Sequence, residues 1–479
     1  TKIPAGRAFE TAEVEAFESD RQPGAYERLV DRWLDSPRYG EQMGRHWLDV
    51  ARYADTNGYE KDRERSIWPY RDWVINAINA DMPFDQFTIE QLAGDMLPDA
   101  TQSQRIATGF HRNTMLNEEG GIDPLEYRFA AMTTRMQMTG AAWLGLTLQC
   151  AQCHNHPFDR WTMNDYYGFN AFFAQIGRKN TDDPQEVIVF NSKGGETQHF
   201  LTKKNVKPKF LGGEEPDIKP GEDRRRVMAE WLASPRNPYF ARNIANIVWA
   251  HFLGVGVVDP VDDVRVSNPP SNTELMDQLA AHLTEYKYDV RKLVRDITSS
   301  AAYQRSSKTN ESNAGDKLNF ARAQVRRVRA EVLLDAISQI TETPNKFQGL
   351  PLGARAVQIA DGAVSNYFLT TFGRSKRESV ASTEVKTDPN LSQALHLMNG
   401  DAVNDRIRRG QVVEKLIAAG KKDGEIVDEL FLRVFGRKPS AVEAKSVTAA
   451  IAADPANRQV VLEDAFWALM NSKEFYFNH

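Results

Sequence analysis

The chain of 479 residues is too long for one ordinary core, and at about 150 residues per domain it predicts two or three domains. Hydrophobic residues make up 41% and charged residues 26%, the balance of a globular chain with a large buried core, so wholesale disorder is excluded. With 60 Lys and Arg against 65 Asp and Glu, the net charge of −5 gives no drive toward nucleic acid or an anionic membrane, and no stretch reaches the roughly 18–20 apolar residues of a membrane span. The densest basic run, Arg224-Arg225-Arg226, reads as a solvated helix start. The chain begins at Thr1 with neither methionine nor an apolar signal core and so reads as a mature or trimmed product.

Helical periodicity dominates from the start. Tyr26, Leu29, Val30, Trp33 and Leu34 form one apolar stripe, and Trp47, Val50, Ala51 and Ala54 continue it through RHWLDVARYA. Asp123 before Pro124 predicts an N-cap with proline in the first turn, opening a long helix that runs toward Leu148 and delivers the cysteines at its end. After Arg178 the composition turns to Gly, Pro, Lys and Asp, with β-branched EVIVF ahead of a Gly-Gly turn, which predicts a hairpin and linker. Helical patterning resumes near Asp223, and Ser271 with Glu274 reads as a capping box. Val325, Val328, Val332, Ile337 and Ile340 trace another amphipathic helix, residues 343–389 are loop-rich, and several helices follow. The expected class is mainly α: a helical domain at 1–180, a hairpin and linker at 181–221, and a second helical domain at 222–479.

The two cysteines of the chain stand three apart in LQCAQCHNHPFDRW, with a histidine directly after the second. Cys150-x-x-Cys153-His154 is the pattern of c-type haem attachment, in which two thiols reach the vinyl groups and the imidazole faces iron. Haem c held covalently by Cys150 and Cys153, with His154 as iron ligand, is the leading reading; a disulfide or free thiols, and a zinc site adding His156, are the alternatives. Four zinc ligands within seven residues would be cramped. Asp159 or a backbone carbonyl is expected to hold the second ring nitrogen of His154. His111, Met115, His156 and Met163 are candidates for the far axial position, which separates an electron carrier from an iron open to chemistry.

The segments SPRYGEQMGRHWLDVARYADTNGYE, PYRDWVINAINADMPFDQFTIEQLAGDMLP, ATGFHRNTMLNEEGG and WLGLTLQCAQCHNHPFDRWTMNDYYGFNAFFA resemble domain of unknown function 1549. NPYFARNIANIVWAHFLGVGVVDPVDDVRVSNPPSN and PNLSQALHLMNGDAVN resemble its partner, domain of unknown function 1553. These paired domains occur in planctomycetes and relatives, often downstream of a cytochrome c domain, so the resemblance implies a periplasmic or secreted protein with a cytochrome c-type electron partner. Relatives often carry cysteines after the FGR motif; FGRSKRESVASTEVKTDPN has none.

Two other constellations bear polar chemistry. Arg52, Tyr53, Asp55, Asn57 and Tyr59, with Asp49 and Glu60, set aromatic rings beside carboxylates and amides, which suits a carbohydrate, although a capped helix with solvated charges is the commoner origin of such a pattern. His111, Glu118 and Glu119 in HRNTMLNEEGGIDP are candidate acid–base groups, or merely cap the next helix. Asp259, Asp262, Asp263 and Arg265 form a turn that could hold calcium or reach across to the first domain, without the alternation of an EF-hand. No nucleotide, P-loop or α/β-hydrolase motif is present. The expected function is a periplasmic haem-c oxidoreductase acting on a carbohydrate or its derivative; the alternatives are a non-redox carbohydrate-active or carbohydrate-binding protein with a Cys150–Cys153 disulfide, and a pure electron-transfer module.

Overall fold

The computed structural model describes residues 10–58, 61–117, 119–183, 185–360, 364–375, 390–393 and 402–478. Among these, helices dominate and the strands form three two-stranded antiparallel sheets, so the chain is mainly α. Tyr59, Glu60 and Glu118, and most of the segment after the FGR motif, lie outside the described residues.

The stripe from Tyr26 to Leu34 forms the helix Ala25–Leu34, which buries Val30, Trp33 and Leu34. Ser36 caps the next helix, Pro37–Val50, and Pro37 occupies its first turn, where a missing N–H breaks no bond. This helix lies so close to Trp68–Asn79 that a Cβ on Gly40 would come within 2.5 Å of the Asn79 side chain. With hydrogen there instead, Asn79 Oδ1 accepts the Gly40 N–H at 2.8 Å.

Buried apolar residues gather in two clusters. The first runs from Val30 to Phe320 and therefore continues across the linker: Phe240 packs on Phe84 with ring centres 5.8 Å apart, and Asn243 Nδ2 donates to Ala142 O. The second runs from Val328 to Tyr476. Ion pairs join the two: Arg45 meets Glu331 at 3.3 Å with both side chains buried, Arg329 meets Asp49 at 3.1 Å, and Arg355 meets Glu41.

Local structure departs from the expectations in four places. The helix opened by Asp123 and Pro124 spans Pro124–Thr139 and ends in a π turn, Gly140–Leu144; it does not reach Leu148. Gly145 stops it with φ +67°, at a spot where a Cβ would lie 2.4 Å from Asn243 Oδ1. The expected hairpin forms, Val187–Asn191 pairing with Ile176–Asn180 and Thr197–Gln198 with Asn205–Val206. Asn272, not Ser271, caps the helix Thr273–Glu285, its side chain accepting Leu275 N. Val325 and Val328 precede the helix Ala330–Ile340, because Arg326–Arg327 pairs as a strand with Phe477–Asn478. Arg225 is not solvated: it is 1% exposed, held by Asp95 at 3.1 Å and Asp223 at 3.0 Å.

Candidate functional site

The cysteines lie on a short 3-10 turn, Gln149–Gln152, and the residue just beyond it. Leu148 and Ala151 are buried, and Ala151 N donates to Leu148 O at 2.9 Å, so the apolar pair pins the turn to the core. Tyr167 Oη donates to Gln152 O at 3.0 Å from the helix Met163–Asn170 beneath. Cys150, Cys153 and His154 are left exposed, and both thiols are free.

Hydrogen bonds assign the histidine tautomers. His154 Nδ1 lies 2.7 Å from Asn155 O, and a carbonyl only accepts, so Nδ1 carries the proton and Nε2 keeps its lone pair. A backbone carbonyl, not Asp159, thus orients this ring; Asp159 Oδ1 accepts Arg160 N and Val266 N. At His156 the order is reversed: Nδ1 accepts Phe158 N at 3.2 Å, which puts the proton on Nε2.

The remaining candidates for the far axial position are dispersed. His111 is fully buried, its Nε2 donating to Leu92 O at 2.9 Å, and burial followed by the charges of Arg225 and Arg135 pushes its pKa well below the usual value. Met115 packs over Gly58, 41% exposed. Met163 adjoins the turn, its N–H donating to Asn155 Oδ1, but its side chain is buried.

The turn around Asp259–Arg265 reaches across to this region. Val264 N donates to Gly145 O, Thr147 Oγ1 to Asp262 O, and Ser267 Oγ to Phe158 O. Asp263 is paired with Arg265 at 2.8 Å. Among the described residues no three His, Cys, Asp or Glu side chains gather to hold a metal ion.

The two polar constellations upstream come together as one knot. Arg65 Nη1 donates to Arg112 O and Thr114 O, and Leu116 N donates to Asn57 O, binding the loop after Arg52 to the loop after His111. Arg52 takes φ +53° at the helix end. Tyr53 is fully buried, donates to Asp55 Oδ1 at 2.5 Å and stacks on Tyr70, so its ring offers no face to a sugar. Asn57 is also buried, while Glu119 is half-buried with its N–H on Asn117 Oδ1. The knot reads as scaffold.

The donor set of the cysteine turn fits a covalently held haem: two free, exposed thiols at the required spacing and an imidazole with Nε2 open. Neither the cavity of about 540 Å³ between Pro37–Val50, Phe240–Leu253 and residues 326–332, nor a second of about 260 Å³, is lined by a residue of the turn. The larger cavity holds polar groups that the sequence reading passed over: Gln42, His46, His251, Arg326 and Arg329. Their one sequence signal is polarity inside an apolar stripe, since Gln42 and His46 sit among Tyr39, Met43, Trp47 and Val50.

No curated protein and no solved structure matches the chain. Residues 5–178 match the family described as protein of unknown function (DUF1549), and residues 224–451 match protein of unknown function (DUF1553). The chain therefore belongs to the proteins that carry these two domains in tandem.

Proposed function

We propose that the chain is a periplasmic or secreted c-type haem protein that transfers electrons to a cytochrome partner. One observation carries the reading: Cys150 and Cys153 are free and exposed on a single turn, next to a histidine whose Nδ1 proton is committed to Asn155 O. Haem held at such a site supplies one-electron transfer. Cys150 and Cys153 would hold it by thioether bonds, and His154 would face iron through Nε2. The hydrogen bond to Asn155 O keeps the ring in the ligating tautomer, and Leu148 and Ala151 anchor the turn. Exposure of the turn favours electron exchange at the surface over chemistry on an enclosed substrate. The carbohydrate role has less support, because the aromatic ring central to it, Tyr53, is buried.

The same exposure supports a second reading, in which the two thiols cycle between dithiol and disulfide without haem. Protein matured in a periplasm competent for haem-c assembly separates the two. The haem reading expects a Soret band that shifts on dithionite reduction and survives acid–acetone extraction. Absence of the band, or extraction of the haem, overturns it. Two thiols per chain that are lost on oxidation and recovered on reduction would then establish the dithiol pair.

A further inference from the structure

The cavity of about 540 Å³ is apolar over most of its wall, with Met43, Trp47, Ile244 and Val248 among its lining, and polar at the junction of the two cores. Several arginines crowd that junction. Arg45 is paired with Glu331, and Arg329 with Asp49. Arg326 has no carboxylate partner among the described residues; it gives two of its five N–H groups to backbone carbonyls, His251 O at 2.7 Å and Phe252 O.

The imidazoles do not supply the missing negative charge. His46 and His251 meet edge to face with ring centres 4.2 Å apart. His46 Nδ1 is 2.5 Å from Arg329 Nη1 and its Nε2 is 3.4 Å from Arg45 Nη2. Burial and the surrounding arginines keep both rings neutral, His251 being depressed to about 3. Of the arginines that line the cavity, Arg329 is paired with Asp49 and Arg291 with Asp35 and Asp81, whereas Arg326 meets no carboxylate among the described residues.

Two further polar atoms there, His251 Nε2 and Gln42 Oε1, are shielded from solvent and have no hydrogen-bond partner among the described residues. A buried polar atom without a partner costs about 1–3 kcal/mol, so a ligand that reaches such atoms beside Arg326 recovers part of that cost. An anion accepting from Arg326 and His251 would satisfy the imidazole, and the Gln42 amide, turned over, would add another N–H. The guanidinium of Arg326 suits a carboxylate, and the apolar remainder of the wall suits a hydrophobic body.

We propose that this cavity binds an organic carboxylate with an apolar body, its carboxylate at Arg326, His251 and Gln42 and its body against Met43, Trp47 and Val248. The site is separate from the cysteine turn and stands whether or not haem is bound there.

Calorimetric titration of the full chain with sodium octanoate, and in parallel with octan-1-ol, tests the charge and the body independently. Octanoate is expected to bind at one site at least tenfold more tightly than octanol, a difference of about 1.4 kcal/mol. Arg326→Gln should weaken octanoate at least tenfold and leave octanol unchanged. Because Arg326 also braces the end of a helix, Gln42→Glu serves as a near-isosteric second variant. It places a negative charge on the wall without removing any bond the Oε1 atom makes, and should likewise cost octanoate tenfold or more. No octanoate binding, octanol binding as tight as octanoate, or octanoate affinity unchanged in the folded variants would each overturn the proposal.

Discussion

At the cysteine turn, the polar groups that flank the thiols find partners within a few residues: His154 on Asn155 O, His156 on Phe158 N, Asp159 on Arg160 N. At the cavity, Gln42 and His46 come from one helix, His251 from another some 200 positions on, and Arg326 and Arg329 from a third segment, and two of their atoms go unsatisfied. The first site is a local motif presented to solvent. The second exists only through tertiary packing, and its charges are expensive to leave alone. Substitutions at the cavity should therefore strike stability, and those at the turn should strike chemistry while sparing the fold.

The largest effect belongs to Arg45→Ala. It strands Glu331, whose carboxylate is buried and held down to about 2 by Arg45 and Arg329 despite the opposing cost of burial. An uncompensated buried charge of this kind costs about 3–5 kcal/mol, measurable as a shift in the urea midpoint. Adding Glu331→Leu should restore much of the loss, because the pair disappears together. A loss below about 1 kcal/mol for Arg45→Ala would place this pair in water-like surroundings and break the contrast with the turn.

Next comes pH. His251 is depressed to about 3 by burial and by Arg326, Arg329 and Arg45, and His46 is depressed by burial and by its neighbours. A base whose folded pKa lies below its unfolded value of about 6.5 contributes stability above that pH and loses it as pH falls, since the unfolded chain takes the proton first. His251→Gln should narrow the difference in unfolding free energy between pH 7 and pH 5 by about 1 kcal/mol, after discounting for the cavity's access to solvent. Asp335, raised to about 6 by burial, titrates with the opposite sign but is common to both proteins. An unchanged difference would mean that the ring is already hydrated.

How far each region could be read in advance follows from the range of its interactions. The stripe from Tyr26 to Leu34 and the Asp123-Pro124 cap are written in adjacent residues and form as expected. Arg225 is buried because Asp95, 130 positions away, arrives beside it, and no local pattern records that. The early end of the helix from Pro124 depends on Gly145 lying against Asn243 and Val264, again a contact between distant segments. Cys150, Cys153 and His154 fall on one exposed turn because they are near neighbours in the chain, so their placement together was legible. The cavity was not, since Arg326 reads as one charge in an arginine-rich run until the cores close around it.

The helix Thr273–Glu285 gives a smaller test of local reading. Ser271 and Asn272 are adjacent and both are good caps, and Glu274 three residues after Ser271 favours the serine by pattern alone. In the fold Asn272 Oδ1 accepts Leu275 N at 2.9 Å. Asn272→Ala should cost about 1 kcal/mol and Ser271→Ala a few tenths or less, by thermal denaturation. Equal losses would return the cap to Ser271.

The smallest stability effect belongs to the thiols, and it completes the contrast. Cys150 and Cys153 are exposed, with free thiols, while the anchoring of the turn is done by Leu148, Ala151 and the Tyr167 hydroxyl. Cys150→Ser with Cys153→Ser should shift the unfolding free energy by no more than about 0.5 kcal/mol, the usual range for a surface change. The same double variant should abolish any covalently retained haem, and His154→Ala should change the spectrum while leaving the thioether bonds in place. A double variant that unfolds would mean that the thiols support the fold, and the turn would then resemble the cavity instead of opposing it.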